Sequence, residues 1–166
     1  MKTFKGEPKT LTVTWYSPDR ERDRAMSGLE WLKAVQSGEM PPPPMAALMG
    51  IDRIVEVEPG RVVFSAPIGG HLYNGGGVVH GGFAATLFDT ALGTAIFSKL
   101  PAGVGCTTTD LHVRYLKALT VKTGRVFCEA KVIHVGRSTA TAEARLTDEN
   151  GVLYAHATTA CAILRE

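Results

Sequence analysis

No stretch of this 166-residue chain is apolar for long enough to cross a membrane as a helix. The most apolar window, Phe83 to Phe97, is 15 residues long and contains Asp89, where a spanning helix needs about 20. The first residues, Met1 to Glu7, lack the apolar core of a secretory signal. Charge of one sign is scarce too. Eighteen Lys and Arg stand against 16 Asp and Glu, a net charge of +2, which excludes the broad electrostatic pull of a nucleic-acid or anionic-membrane binder. Cysteine is sparse and odd in number: Cys106, Cys128 and Cys161 are far apart and form no C-x-x-C pair. They read as reduced core thiols of a cytoplasmic protein. His71, His80, His112, His134 and His156 form no His-x-His, His-x-x-x-His or His-Cys cluster, so no metal site is expected. No Gly-Lys-Ser/Thr occurs, which excludes a phosphate loop, and no cofactor is expected.

What is present suits one globular domain, with 45% hydrophobic and 20% charged residues. Residues 1–44 read as an N-terminal extension and residues 45–166 as the main domain. The extension begins with an alternating run, Thr10 to Trp15, expected as a strand. A helix follows to about Gln36, with Ser17 as N-cap, Pro18 at the first helical position and Asp19 at the positive end of the dipole. Leu29, Leu32 and Val35 give it one apolar stripe with Met26 and Trp31 beside it. Gly38 is its expected stop, and Pro41 to Pro44 a stiff spacer.

In the main domain, Ile51–Val57 and Arg61–Ala66 read as a hairpin about Pro59-Gly60. Val78–Leu100 is too long and too poor in β-branched residues for a strand and is predicted helical. Cys106–Leu116, Lys122–Val135, Ser138–Thr147 and Val152–Leu164 predict four long strands, the last two joined through Asn150-Gly151. Along Lys122–Val135, Val126, Cys128, Ala130, Val132 and His134 share a face, so one side of the sheet is apolar and needs a cover. The 78–100 helix, apolar nearly all round, is the available cover, which makes the class α+β. A sheet can shield only one side of it, so a second subunit is expected on the other.

Within that helix Asp89 is an anomaly, because an ionised carboxylate buried without a partner costs several kcal/mol, about 2–7 even for a neutral polar group. A buried arginine or backbone donor could justify it structurally. At the helix entrance, His80-Gly81-Gly82 leaves the first N–H groups unpaired and approachable, a ready binder for an oxyanion or carbonyl. Gly81 and Asp89 are eight residues apart, about 12 Å along one helix. One reacting group touches both only if two antiparallel helices, from two copies, supply one each.

The run Asn74-Gly75-Gly76-Gly77-Val78-Val79-His80-Gly81-Gly82, followed by Asp89, resembles the hotdog-fold acyl-CoA thioesterases, in particular their PaaI-type branch. Gly75 stands where that family commonly has Pro, and the extension lies outside its usual core. The resemblance covers roughly Met45 to the end and implies a hotdog fold, an antiparallel sheet wrapped around one long helix. It implies hydrolysis of a CoA-linked acyl or aryl-acyl thioester at the interface of a homodimer, or of a dimer within a homotetramer. By the same resemblance, Gly81 N–H polarises the carbonyl. Asp89 of the facing subunit activates water or attacks directly, Asn74 orients water or acyl group, and Thr108 or its neighbour Thr107 holds the water. His80 shapes the loop, a general-base role being the rival, with Gly82 beside it. Gly136, Arg137 and Ser138, in a turn that such enzymes often carry, contact the coenzyme A.

Arg114, Lys117, Lys122, Arg125, Lys131 and Arg137 form a positive stripe suited to the coenzyme's phosphates. Coenzyme A is here part of the substrate. Gly136 to Ala140 superficially resembles a nucleophile elbow, but it joins two strands rather than a strand and a helix, so Ser138 is not read as a nucleophile. Tyr73 and Phe83 are aromatic candidates for an acyl pocket or for plain core. The main alternative to an enzyme is a non-catalytic acyl-CoA-binding or sensing module on the same fold.

Overall fold

The computed structural model describes residues 7–165; the first six residues of the extension and Glu166 lie outside the described part. In chain order the elements are α1 (Arg20–Ala25), α2 (Gly28–Ser37), α3 (Pro44–Leu48), β1 (Arg53–Glu58), β2 (Arg61–Pro67), α4 (Gly81–Phe97), β3 (Gly105–Tyr115), β4 (Arg125–Val135), β5 (Thr139–Asp148) and β6 (Leu153–Leu164). The six strands form one antiparallel sheet in the order β1-β2-β4-β5-β6-β3. α4 packs across β2, β4, β5, β6 and β3. This is the hotdog arrangement.

The sheet closes on α4 because both surfaces are built of small side chains where they meet. Ala140, Ala142, Ala144 and Leu146 alternate inward on β5, Ala155 and Ala157 on β6, and Ala84, Ala91 and Ala95 answer from the helix, all buried. Larger groups fill the remaining space: Phe88, Leu87, Leu92 and Ile96 are fully buried, each contributing roughly 1.5–3 kcal/mol of transfer free energy. Only one side of α4 is covered. Asp89 is exposed and Ala85, Thr86, Thr90, Gly93 and Thr94 are half-buried, so within one chain the carboxylate is in water rather than in the core. The expectation of a buried charge fails because a single sheet reaches only the opposite face.

The two edges of the sheet differ. β1 is short and bulged between Ile54 and Glu56, and Gln36 of α2 donates its amide to the carbonyls of Ile54 (3.2 Å) and Val55 (3.3 Å). β3 is an 11-residue strand with β6 on one side and no strand on the other among the described residues. Such an edge is a template for pairing unless it is covered.

Several local expectations are corrected. Thr10 to Trp15 forms no strand: it has no ladder partner, and Leu11 and Trp15 are exposed. The helix predicted to Gln36 is two helices broken at Met26-Ser27. Asp19, not Ser17, caps α1 through Arg22 N–H, and Ser27 with Glu30 forms a capping box that starts α2. Two strong caps so close together outweigh one continuous apolar stripe. Gly38 does end α2, in the left-handed region at φ 83°. Pro44 opens the short α3 instead of completing the spacer. On β4 the inward alternation runs only to Val132, because a bulge between Val132 and His134 turns His134 out to solvent.

The extension is locked to the domain at one tight contact. Gly28 N–H donates to Leu100 O at 3.1 Å, and a Cβ on Gly28 would lie 1.8 Å from Phe97 O. Gly28→Ala therefore forces α2 away from the end of α4. We expect a loss of about 2 kcal/mol, read as a lower urea midpoint with an unchanged slope.

Candidate active site

The loop that feeds α4 is held by its own polar groups. Asn74 Oδ1 accepts from the N–H of Gly76 (2.8 Å) and of Val78 (3.4 Å), and Asn74 N–H donates to Val78 O. This fixes the turn in which Gly77 sits at φ 79°, and it leaves only the amide NH2 of Asn74 to face a ligand. His80 is the N-cap: its Nδ1 accepts from Gly82 N–H at 2.8 Å, so the neutral ring carries its proton on Nε2. Its place in the chain is that of a cap at the entrance of α4. The Gly82 N–H is consumed by this cap, whereas Gly81 N–H finds no acceptor among the described residues. A free donor at the start of a 17-residue helix, with the dipole behind it, is suited to a carbonyl oxygen that becomes negative.

Asp89 lies two helical turns further on. Thr108 Oγ1 donates to Asp89 Oδ1 at 2.7 Å, so of the two threonines it is Thr108 that touches the carboxylate. The bulge between Thr108 and Asp110 on β3 is the cause, since it turns Thr108, Leu111 and Val113 toward α4 while Thr107 and Asp110 are exposed. A depression of about 440 Å³ opens beside the pair, lined among others by Trp31, Thr90, Gly93, Cys106 and Cys161. Neither thiol there is a ready nucleophile. Burial pushes Cys106 up to about 12. Burial also raises Cys161, with the neighbouring Asp89 charge adding to it.

In one chain the Gly81 and Asp89 groups are far apart. Tyr115, at the far end of β3, donates its phenol to Gly81 O at 3.0 Å, and its ring lies 3.1 Å from where a Gly81 Cβ would be. Thr108 and Tyr115 are thus markers of the two ends, opposite Cys161 and Ala155 of β6 and so roughly 20 Å apart at about 3.4 Å per residue. Tyr115 gave no signal in the sequence beyond a strand-end aromatic; its contact with Gly81 is set by tertiary packing. Around the helix entrance a second depression of about 330 Å³ is lined by Val79, His80, Gly81, Tyr115, Lys117 and Leu119.

The Gly136-Arg137-Ser138 turn joins β4 to β5 through Gly136 N–H to Thr139 O at 2.8 Å, and Ser138 O accepts from Ile163 N–H. Through the ladder its β5 end stands level with Thr108, two strands away across β6. The structure thus leaves it at the Asp89 end but not against Asp89. The positive stripe is thinner than its residue count. Arg125 is held by Asp52 at 2.6 and 2.9 Å, and Lys131 pairs with Glu129 at 3.1 Å. Arg114, Lys117, Lys122 and Arg137 are in no ion pair among the described residues. Of the aromatic candidates, Phe83 is core, and Tyr73 accepts Val121 N–H at 2.8 Å on its phenol oxygen. No group of three or more His, Cys, Asp or Glu among the described residues is placed to hold a metal ion.

Residues 76–155 match the thioesterase superfamily. A conserved protein of Pseudomonas aeruginosa of known structure is 30% identical, with a TM-score of 0.69 over 74% of this chain and 95% of that one. The chain belongs to the thioesterase superfamily. The PaaI protein of the Escherichia coli phenylacetic acid degradation operon shares the fold, with a TM-score of 0.71, 22% identity, and coverage of 84% of this chain and 96% of its own. A Halobacterium salinarum protein named as an esterase is 45% identical over 71 residues, a match spanning 42% of this chain and 45% of that relative. The segment shared with the superfamily holds Gly81, Asp89, Thr108, Tyr115 and the 136–138 turn; Asn74 and α1 to α3 lie outside it.

As a thioesterase-family protein with inert thiols beside Asp89, the folded chain should resist alkylation. Iodoacetamide at pH 8 is expected to modify Cys106 about a hundredfold more slowly than in urea-unfolded protein, as its raised thiol leaves little thiolate. Cys128, which burial also raises, should stay unmodified until unfolding; mass spectrometry of timed samples reads both.

Proposed function

We propose that the protein is a cytoplasmic acyl-CoA thioesterase of the PaaI-like kind, working as a two-fold dimer in which each site takes half its groups from each subunit. The observation that carries this is the placement of two hydrogen-bonded pairs, Asp89–Thr108 and Gly81–Tyr115, at opposite ends of one edge strand whose outer side has no strand beside it among the described residues. Antiparallel pairing of β3 with a second copy, centred on His112, sets Thr108 beside the Tyr115 end of the partner subunit, and does so twice. The same register sets Asp110 opposite Arg114 of the partner subunit, an opposite-charge cross-strand pair on both sides of the axis. It also covers the exposed side of α4 around Thr86, Asp89, Thr90 and Gly93.

In such a site the thioester carbonyl oxygen takes the free Gly81 N–H of one subunit. Asp89 of the other, oriented by the Thr108 hydroxyl, accepts a proton from water as the water oxygen bonds to the carbonyl carbon. The tetrahedral species collapses by breaking the C–S bond; coenzyme A leaves as thiolate and the proton from Asp89 restores its thiol, leaving the free acid. If Asp89 attacks instead, its oxygen forms an anhydride that water then opens. Single turnover in oxygen-18 water separates the two, because only attack places solvent oxygen in the enzyme carboxylate. The remaining amide of Asn74 orients the acyl group or water, and Arg137 with Gly136 and Ser138 receives the coenzyme's phosphates.

Asp89→Asn is expected to lower kcat by about 10²–10⁴ with the dimer intact, measured on a panel of acyl-CoAs; an unchanged turnover removes Asp89 from catalysis. Tight acyl-CoA binding with no thiol release by the wild type would identify the sensing module instead. The register has its own check by equilibrium sedimentation. Asp110→Arg alone should weaken the dimer at least about tenfold, and Asp110→Arg combined with Arg114→Asp should restore it.

A further inference from the structure

The N-terminal extension does more than pack. α2 and the start of α3 close over one end of α4 and leave a cavity of about 310 Å³ whose walls include Trp31, Leu32, Val35, Ala46, Ile54 and Phe64. It adjoins the Asp89 depression, sharing Trp31, Thr90 and Thr94 with it. Thr90 follows Asp89 directly and Thr94 is one turn further on the same face, so the cavity begins at the reacting end and runs along α4 for about 5 Å or more.

The geometry points to this cavity as the acyl-binding site of the enzyme, with Trp31 as the wall that sets how far the acyl group enters. The identity of the guest rests on the thioesterase reading above. Three polar side chains of the lining are engaged elsewhere, while Thr90 and the exposed Arg53 also reach it. Thr94 Oγ1 donates back to Thr90 O at 2.6 Å, leaving its methyl group outward, Gln36 holds the β1 carbonyls, and Asp52 is taken by Arg125. Such walls favour an apolar guest. Trp31 is half-buried and braced edge-to-face on Phe97, with centroids 6.1 Å apart and planes at 70°, which keeps the indole upright between the two hollows. A dry cavity of about 150 Å³ holds one benzene. At about twice that volume, this one suits a monocyclic aryl-acyl group or a straight chain of roughly eight carbons.

Non-hydrolysable S-alkyl-CoA thioethers of two to fourteen carbons, titrated calorimetrically against the full-length dimer, test this without requiring turnover. For the wild type, affinity should rise by up to about fourfold per methylene and level off near eight carbons. Val35→Phe, which fills the cavity from α2, should stop the rise near four carbons and leave the affinity of the two-carbon ligand unchanged. Trp31→Ala should move the plateau to longer chains. Unchanged chain-length profiles in both variants, with both still dimeric, would overturn the assignment even if hydrolysis of acyl-CoAs is intact. Shifted profiles in a protein that hydrolyses none of the acyl-CoAs would uphold the cavity and overturn the catalytic reading alone. Failure of the wild type to bind any thioether would overturn both.

Discussion

The close approach of α4 to an alanine-rich sheet face governs the rest of this molecule. Only where small side chains meet can a six-stranded sheet curve far enough to enclose a helix, and packing at interior density then holds that helix in one rotation and at one depth. Two consequences follow from rotation alone. The entrance of α4, with its free Gly81 donor, meets the Tyr115 end of β3, while Asp89 meets the Thr108 end. The face that carries Asp89 is left outside because the sheet has no more strands to offer it. The functional asymmetry of the chain is therefore a product of core packing rather than of any loop.

The asymmetry of the edges belongs to the same logic. β1 is short, bulged and bridged by the Gln36 amide, which makes it a poor partner for another strand. β3 is paired with β6 on one side, keeps its outer edge free of a strand among the described residues, and alternates Asp110, His112 and Arg114 on its exposed face. Charges of opposite sign two positions either side of a central residue are self-complementary under a two-fold rotation: a register centred on His112 would set opposite charges together, and a slip of four residues would set like charges together.

Much of this was legible before any coordinates. The long apolar helix, both hairpins and the four long strands follow from period and turn chemistry, and the spacing of Asn74, His80-Gly81-Gly82 and Asp89 singled out the candidate site residues. What escaped did so for identifiable reasons. Thr10 to Trp15 alternates like a strand but has no ladder to join. Ser17-Pro18-Asp19 looks like a helix start, yet Asp19 caps α1, and Ser27, with Glu30 three residues later, starts the helix that matters. The choice between Thr107 and Thr108 depended on a bulge, which leaves no mark in a pattern of period two. Arg125 and Lys131 counted as free cations until Asp52 and Glu129 took them. Tyr115 and Trp31 act through contacts with segments far away in the chain, Gly81 and Phe97, and no local pattern encodes such a meeting.

The glycine at position 28 carries one further implication. Its contact with the carbonyl of Phe97 and its bond to Leu100 join segments made at very different times on the ribosome. During vectorial synthesis α2 emerges first, and its apolar stripe has nothing to rest on until α4 follows. The helix is too short to persist alone. The nascent chain must therefore carry Leu32 and Trp31 in the open until the central helix arrives, an interval in which this apolar surface is open to aggregation.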